Sequence, residues 1–391
     1  MKVAYVGDFV NHGKSLPTFG TSLVILLSCS KDVDSIDVFS PEKNGQIEDF
    51  DLPTKVKLFE FYKYDHPFSI LKLLKVSWNS YDTVIFNMLP TGFGNSSTAN
   101  AVGLMLPILL TRLFRQSNIE VIYHNSVFTN DVKKLGYNSP KDKIRSFFLG
   151  IVEKSIFKNL NTFVPLSLYK QKIDESIGKN LVRVLNSKYF EAITTLYINK
   201  GMDLESMELN KTDIPTVLMH GSWGPQKNIE LGLSMLQNLK ESGNKFRLII
   251  SGGINHHFSG YERTFDGILN LYSDIIDEYL GPVKEKDIMK IFLKANLLIL
   301  PYNTPGGHSG VLEQAIFFEV PTIVIDFPEY REQANGISSV KFATEDSIFS
   351  TLVKFLELLV EGQTIRIRDK VTQAIFNINQ LLEVNNYKIK R

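Results

Sequence analysis

The residues of this chain best equipped for chemistry lie where apolar, strand-like runs give way to glycine-bearing turns. The longest such segment, residues 296–329, reads NLLILPYNTPGGHSGVLEQAIFFEVPTIVIDFPE. An apolar run (297–300) halts at Pro301, a polar glycine loop (304–310) follows, then a helical pattern, then a second apolar run (322–325). This is a strand, loop, helix, strand unit of a parallel sheet, its loop feeding a helix N-terminus. Free backbone N–H groups and the positive end of the helix dipole suit such a loop to a phosphate. A second turn sits in HGSWGPQKNIELGLSML. It carries Gly221, Ser222, Gly224 and Pro225, with Lys227 just before a helix that puts Ile229, Leu233 and Leu236 on one face. A lysine there can reach an anion at the same sheet edge. A third run ends at Ser251-Gly252-Gly253, where glycine permits a tight turn and close backbone approach to a ligand.

The first half offers less. Val6-Gly7 ends an opening strand, and a loop over 8–20 precedes a helix expected to start near Thr21; Gly13 and Gly20 could bring backbone close to a phosphate. The loop lacks G-x-G-x-x-G, which counts against a nicotinamide-dependent dehydrogenase. His124 follows Val121-Ile122-Tyr123 at a strand's C-terminal end, where it could donate a hydrogen bond to a sugar hydroxyl or carbonyl. His256 and His257 are adjacent, so their side chains diverge, and neither H-E-x-x-H nor D-x-D occurs. Gly307-His308-Ser309-Gly310 is one residue short of a G-x-S-x-G nucleophile elbow. Cys29 is the one cysteine, which allows no internal disulfide, fits a reducing cytosol and is expected to be a small buried apolar residue.

The elements that must position these residues follow a repeating plan. Strand-like runs at 2–7, 35–40, 55–59, 83–87, 120–124 and 162–166 alternate with helical stretches. The pattern breaks over 187–213 and resumes at 215–221, 246–251, 275–280, 297–300 and 322–325. Continuous apolar runs mark strands covered on both faces, so the chain reads as α/β, two doubly wound parallel-sheet domains facing a cleft, with ligands at the C-terminal strand ends. The expected division is an N-terminal, acceptor-side domain over 1–190, a linker over 191–213 and a nucleotide-binding domain over 214–365. Residues 366–391 are expected to form a C-terminal helix able to pack back on the first domain. At 391 residues, two domains are the natural count. Lys+Arg 43 against Asp+Glu 42 leaves a net charge of +1, with no basic field for nucleic acid. No secretion leader is visible ahead of KVAYVG, and a cytoplasmic location is expected. The most apolar window, 101–110, is too short to span a bilayer and is expected to be a core-facing helix; its rival is a peripheral membrane face with Arg112, Arg115 and Lys133 nearby.

From residues 217 to 328 the motifs HGSWGPQKNIE, LIISGG, EYLGPVKEKDIMKIFLKANLLILPY and SGVLEQAIFFEVPTIV resemble, in order and spacing, the family 4 type glycosyltransferases of GT-B fold (glycosyl transferases group 1). The likeness extends more loosely to the opening strand, the 8–20 loop and YHNS. It implies a retaining, metal-independent, hexosyltransferase-type enzyme that moves a sugar from a UDP- or GDP-type donor to a glycan or lipid-linked acceptor, with no cofactor. Lys227 then matches the lysine that neutralises the donor diphosphate, and Ser309, Gly310 and Val311 match the amides that cradle it. Gly221 and Ser222 line the donor loop, and Gly252 and Gly253 lie beside the base. His124 matches the histidine that contacts the transferred sugar, and Gly20 matches the N-terminal glycine loop. The family's two glutamates fall at Gly306 and Gln314, with Glu313 one residue early; Gln314 can still bond ribose hydroxyls, and the His308 side chain or nearby backbone would stand in for the first. Ser222 replaces an arginine, and Glu319 stands where glycine is frequent. Two rival readings accompany this one: a GT-B scaffold that has lost catalysis and serves as a binding or partner subunit, and another GT-B nucleotide-sugar enzyme such as an epimerase or phosphorylase.

Overall fold

Strands buried on both faces need apolar side chains at nearly every position, and central strands of both sheets, such as Thr83–Met88 and Leu297–Leu300, are built that way. The computed structural model describes residues 1–9, 15–42, 52–114, 118–129, 140–178, 180–185, 214–255, 258, 260–283, 285–305 and 307–360. They fall into two units, residues 1–9 and 16–185 in the first and 214–360 in the second. The expected linker over 191–213 and the helix over 366–391 lie outside the described residues.

In the first unit β1 (Lys2–Val6), β2 (Ser35–Pro41), β3 (Val56–Tyr62), β4 (Thr83–Met88), β5 (Asn118–Tyr123), β6 (Asn161–Val164) and β7 (Val182–Val184) form a parallel sheet of order β3-β2-β1-β4-β5-β6-β7. In the second, β8 (Thr216–His220), β9 (Arg247–Ser251), β10 (Glu278–Tyr279), β11 (Leu297–Leu300), β12 (Thr322–Ile325) and β13 (Val340–Ala343) run parallel in the order β10-β9-β8-β11-β12-β13. The strand order reverses between β1 and β4 and again between β8 and β11, the switch points beside which doubly wound sheets bind ligands. Alternation along β8 shows how each sheet is clamped. Val217 and Met219 join the core formed with Ile229, Leu233 and Leu236, while Leu218 joins Leu298, Leu300, Tyr302 and Leu312 on the other face.

Several expectations change. The first helix spans Ser15–Cys29 rather than starting near Thr21, so Gly20 lies inside it. A Cβ at Gly20 would come 1.9 Å from the Tyr5 hydroxyl, so glycine is what lets this helix settle on β1. Cys29 is the last residue of that helix and is exposed, not buried. The apolar window 101–110 lies in the helix Ser97–Leu113, where Leu104, Leu106, Ile108 and Leu110 are buried in the core. Of its expected basic companions, Arg115 and Lys133 lie outside the described residues.

The helix Gly310–Phe317 ends in a Schellman-type turn, with Val320 N–H donating to Ala315 O (2.9 Å) and Glu319 N–H to Ile316 O (3.1 Å). This holds Glu319 left-handed at φ 51°, which explains why glycine suits the position. Glu319→Gly should therefore raise the unfolding free energy by about 0.5–1 kcal/mol, read as a higher urea midpoint at unchanged slope.

Candidate functional site

At the C-terminal edge of the second sheet, the turns after β8 and β9 are hydrogen-bonded to each other. Gly221 N–H donates to Ser251 O (3.2 Å), Trp223 N–H to Gly253 O (2.8 Å) and Asn255 N–H to Trp223 O (2.7 Å). Gly252 has φ +103°, and a Cβ there would lie 1.8 Å from Gly221 O, so only glycine allows the two turns to close. Trp223 is buried beneath them and donates its indole N–H to Ser251 O (3.1 Å). His220, the buried last residue of β8, has Nδ1 2.8 Å from Ser251 Oγ. Burial, and then the Lys227 charge, lower its pKa to about 4, so its ring is neutral at physiological pH.

Lys227 closes a short turn, Pro225–Lys227, before the helix Ile229–Glu241. Asn303 ties this turn down, its N–H donating to Gln226 O (3.1 Å) and its Nδ2 to Pro225 O (3.3 Å). The Lys227 ammonium lies 3.6 Å from the centroid of the Tyr302 ring, a cation–π contact. Burial lowers the lysine's pKa to about 7, and no carboxylate among the described residues pairs with it. Tyr302 is fully buried with its hydroxyl unpartnered among the described residues. That hydroxyl would lie 3.4 Å, and Val311 Cγ2 4.0 Å, from a Cβ placed on Gly221. Lys227, Gly221, Tyr302 and Val311 therefore converge on one spot at the β8–β11 switch point.

Val311 belongs to the helix Gly310–Phe317, capped by Ser309, whose Oγ accepts from Leu312 N–H (3.3 Å). The Ser309 amide is engaged, donating to Gln333 Oε1 (3.1 Å), while Gln333 Nε2 donates to Ser309 O (2.7 Å) and to Glu313 Oε1 (3.1 Å). His308 Nε2 lies 2.8 Å from the same Glu313 oxygen. His308 and Glu313 thus brace the loop against each other, and Gly310 and Val311 keep the amides that meet no protein acceptor among the described residues. Gln314 is half-buried and Ser222 exposed; Gly13, His256, His257 and Gly306 lie outside the described residues. Among the described residues no three His, Cys, Asp or Glu side chains group as metal ligands.

The first sheet presents His124 at the corresponding edge, just beyond β5. Its N–H donates to Met88 O (3.0 Å), its Nε2 lies 2.6 Å from Asn87 Oδ1, and Phe19 packs edge-on at 4.6 Å between ring centroids. Asp8, after β1, accepts from the Tyr64 hydroxyl through its side chain and from the Tyr5 hydroxyl (3.1 Å) through its carbonyl. Behind His124 lies Glu153, fully buried, accepting from Tyr123 Oη (2.9 Å), Ser126 Oγ (2.5 Å) and Val127 N–H (3.1 Å). These bonds fix the segment on both sides of His124. Sequence reasoning missed Asn87, Tyr302, Gln333 and Glu153. Asn87 and Tyr302 follow apolar runs and could have been found by that signal, but nothing local marks Gln333 or Glu153.

No protein-family model and no curated protein sequence matches the chain. Its architecture, two doubly wound parallel-sheet units with an anion-ready switch point, is the GT-B fold. Solved structures share it: a sucrose-phosphate synthase of Thermosynechococcus elongatus (14% identity, TM-score 0.65, 98% of each chain covered) is one. Another is Anabaena HepE in complex with UDP and glucose (11% identity, TM-score 0.60, 98% of this chain and 99% of that one). A third is WaaG, a glycosyltransferase involved in lipopolysaccharide biosynthesis (12% identity, TM-score 0.57, 99% of this chain and 97% of that one).

Burial raises the Glu153 carboxyl from 4.5 to about 7, against the opposing effect of its hydrogen bonds. Below pH 4.5 it is neutral folded and unfolded; above pH 7 the folded state carries the cost of a buried charge, so its contribution to stability is lost as pH rises through that window. His220 acts oppositely below its usual 6.5, so wild type alone shows only a net effect. The stability of Glu153→Gln relative to wild type should therefore climb by about 2–3 kcal/mol between acidic and neutral pH, measured by urea denaturation.

Proposed function

We propose that the protein is a retaining, metal-independent glycosyltransferase that moves a hexosyl group from a UDP- or GDP-type donor to a glycan or lipid-linked acceptor. The observation that carries this reading is the convergence of a half-buried Lys227, which no carboxylate pairs among the described residues, with the open N-terminus of the helix Gly310–Phe317. Breaking the bond between sugar and diphosphate puts growing negative charge on the leaving group, and catalysis needs fixed donors where that charge develops. Lys227 supplies a cation and the Gly310 and Val311 amides supply oriented dipoles, so the second unit holds the donor diphosphate without a metal. The paired turns at Gly221 and Gly252-Gly253 leave backbone beside the nucleoside, and Gln314 bonds its ribose. On the first unit, His124, set by Asn87, offers a hydrogen bond to a hydroxyl of the transferred sugar, and the acceptor binds on that unit. Solved structures of the same fold hold UDP, UDP-glucose, or UDP with glucose, which supports a nucleotide sugar as donor. The site works on a cytoplasmic protein with peripheral contact to a membrane when the acceptor is lipid-linked.

Two measurements test this. With a panel of nucleotide sugars, wild type should hydrolyse one donor slowly in the absence of acceptor. Lys227→Ala should lower that rate at least about a hundredfold while the circular dichroism spectrum is unchanged. Near-normal turnover in the variant would put the phosphate seat elsewhere. Because Lys227 titrates near 7 when empty and a bound diphosphate raises its pKa again, binding above that pH must take up a proton. UDP affinity measured by calorimetry should fall about tenfold per pH unit above neutrality in wild type, and that slope should vanish in Lys227→Met.

A further inference from the structure

The helix Pro140–Asn159 carries a feature that donor chemistry does not use. Ile144, Phe147, Phe148 and Ile151, at 60, 66, 61 and 53% exposure, stand at spacings i, i+3, i+4 and i+7 and so form one stripe. The Phe147 and Phe148 rings touch edge to face, 5.8 Å between centroids. The opposite face of the same helix holds Glu153, Ile156 and Phe157, all fully buried. The helix is therefore already seated on its own core, and the stripe is a second apolar face. Folded proteins seldom leave four large neighbouring apolar side chains in water without a surface to meet.

Charge around the stripe points to the partner. At 100° per residue, Lys143 and Lys154 border it on one side and Arg145 on the other, with Lys158 near its C-terminal end. Lys143, Lys154 and Lys158 are exposed and Arg145 half-buried, while the one acid among the described side chains of this helix, Glu153, is buried. An apolar ridge edged by cations complements acyl chains lying beneath anionic headgroups. We propose that this face of the helix Pro140–Asn159 docks the protein on an anionic lipid bilayer. A bilayer fits better than an acidic protein, because a single projecting helical ridge enters a lipid interface as it stands, whereas a protein must supply a matching groove. The window 101–110, the membrane candidate in the sequence, is buried in the core, and the docking face belongs to its neighbour. In chain order the helix is the next one after β5, the strand that ends just before His124. The inference deepens the lipid-linked branch of the function proposed above and rests on that reading for its purpose only. Vesicle binding is measured without any nucleotide sugar, so failure to bind lipid and failure to turn over donor are separate results.

The test is flotation of the full chain with phosphatidylcholine vesicles, with and without phosphatidylglycerol. Wild type should float with the anionic vesicles and stay behind with the neutral ones. The double variant Phe147→Ser/Phe148→Ser should lower partition about tenfold or more. Lys143→Glu/Lys154→Glu should remove the preference for anionic lipid, both variants keeping the wild-type circular dichroism and melting temperature. Wild type that ignores both kinds of vesicle, or a serine variant that binds as wild type does, would overturn the proposal. Light scattering that shows a dimer broken by the serine pair would put a second copy on the ridge instead. Binding to polyglutamate without binding to vesicles would put an acidic protein there.

Discussion

The site depends on a half-buried cation set against an aromatic ring, with no carboxylate beside it among the described residues. Lys227 loses hydration to the surrounding backbone and to the Tyr302 ring, and a cation–π contact returns only on the order of 0.5–2 kcal/mol. The resulting deficit appears as a pKa drawn down to about 7. A bound phosphate offsets that deficit, so part of the cost of desolvating the lysine is met before ligand arrives. An ordinary surface lysine, paired or hydrated, has no such differential to offer.

The surrounding architecture keeps that ammonium in place. The paired turns at Gly221 and Gly252 extend the β8–β9 ladder beyond the strands, Asn303 anchors the Pro225–Lys227 turn from the far side, and Tyr302 fills the space between. On the loop that precedes the helix Gly310–Phe317, His308, Glu313 and Gln333 consume one another's hydrogen bonds. That bracing takes the Ser309 amide out of use, yet it leaves the next two amides pointing from a rigid helix start. In the first unit Glu153 plays the comparable part for His124, a buried carboxylate that gathers three donors from the segment 123–127.

Much of this was legible in the residues. The strand-like runs read from the sequence cover eleven of the thirteen strands, and several are continuous apolar runs, because a strand covered on both faces has no polar alternation to blur it. The two that escaped, β7 (VRV) and β13 (VKFA), are short edge strands whose exposed faces carry Arg183 and Lys341. The helix over 15–29 was started too late because Gly20 read as loop, whereas Gly20 is demanded by the approach of Tyr5. Lys227 and the Gly310 helix start could be found because turn chemistry is local. Tyr302 could have been picked out by the apolar run before it, but its contact with Lys227, like that of Gln333 with Ser309, could not be read, since each contact joins segments whose nearness only the folded sheet creates. The exposed ridge at Ile144, Phe147, Phe148 and Ile151 was hidden for another reason: an apolar stripe reads as core-facing, and only burial reveals that the opposite face took that place.

The most direct test is a crystal structure with UDP or GDP bound. The account predicts the diphosphate within hydrogen-bond reach of Lys227 Nζ and of the Gly310 and Val311 amides, with the ammonium drawn off the Tyr302 ring and the base beside Gly252-Gly253. A nucleotide bound away from the β8–β11 switch point, or bound there with Lys227 still on the ring and both amides uncontacted, would contradict it.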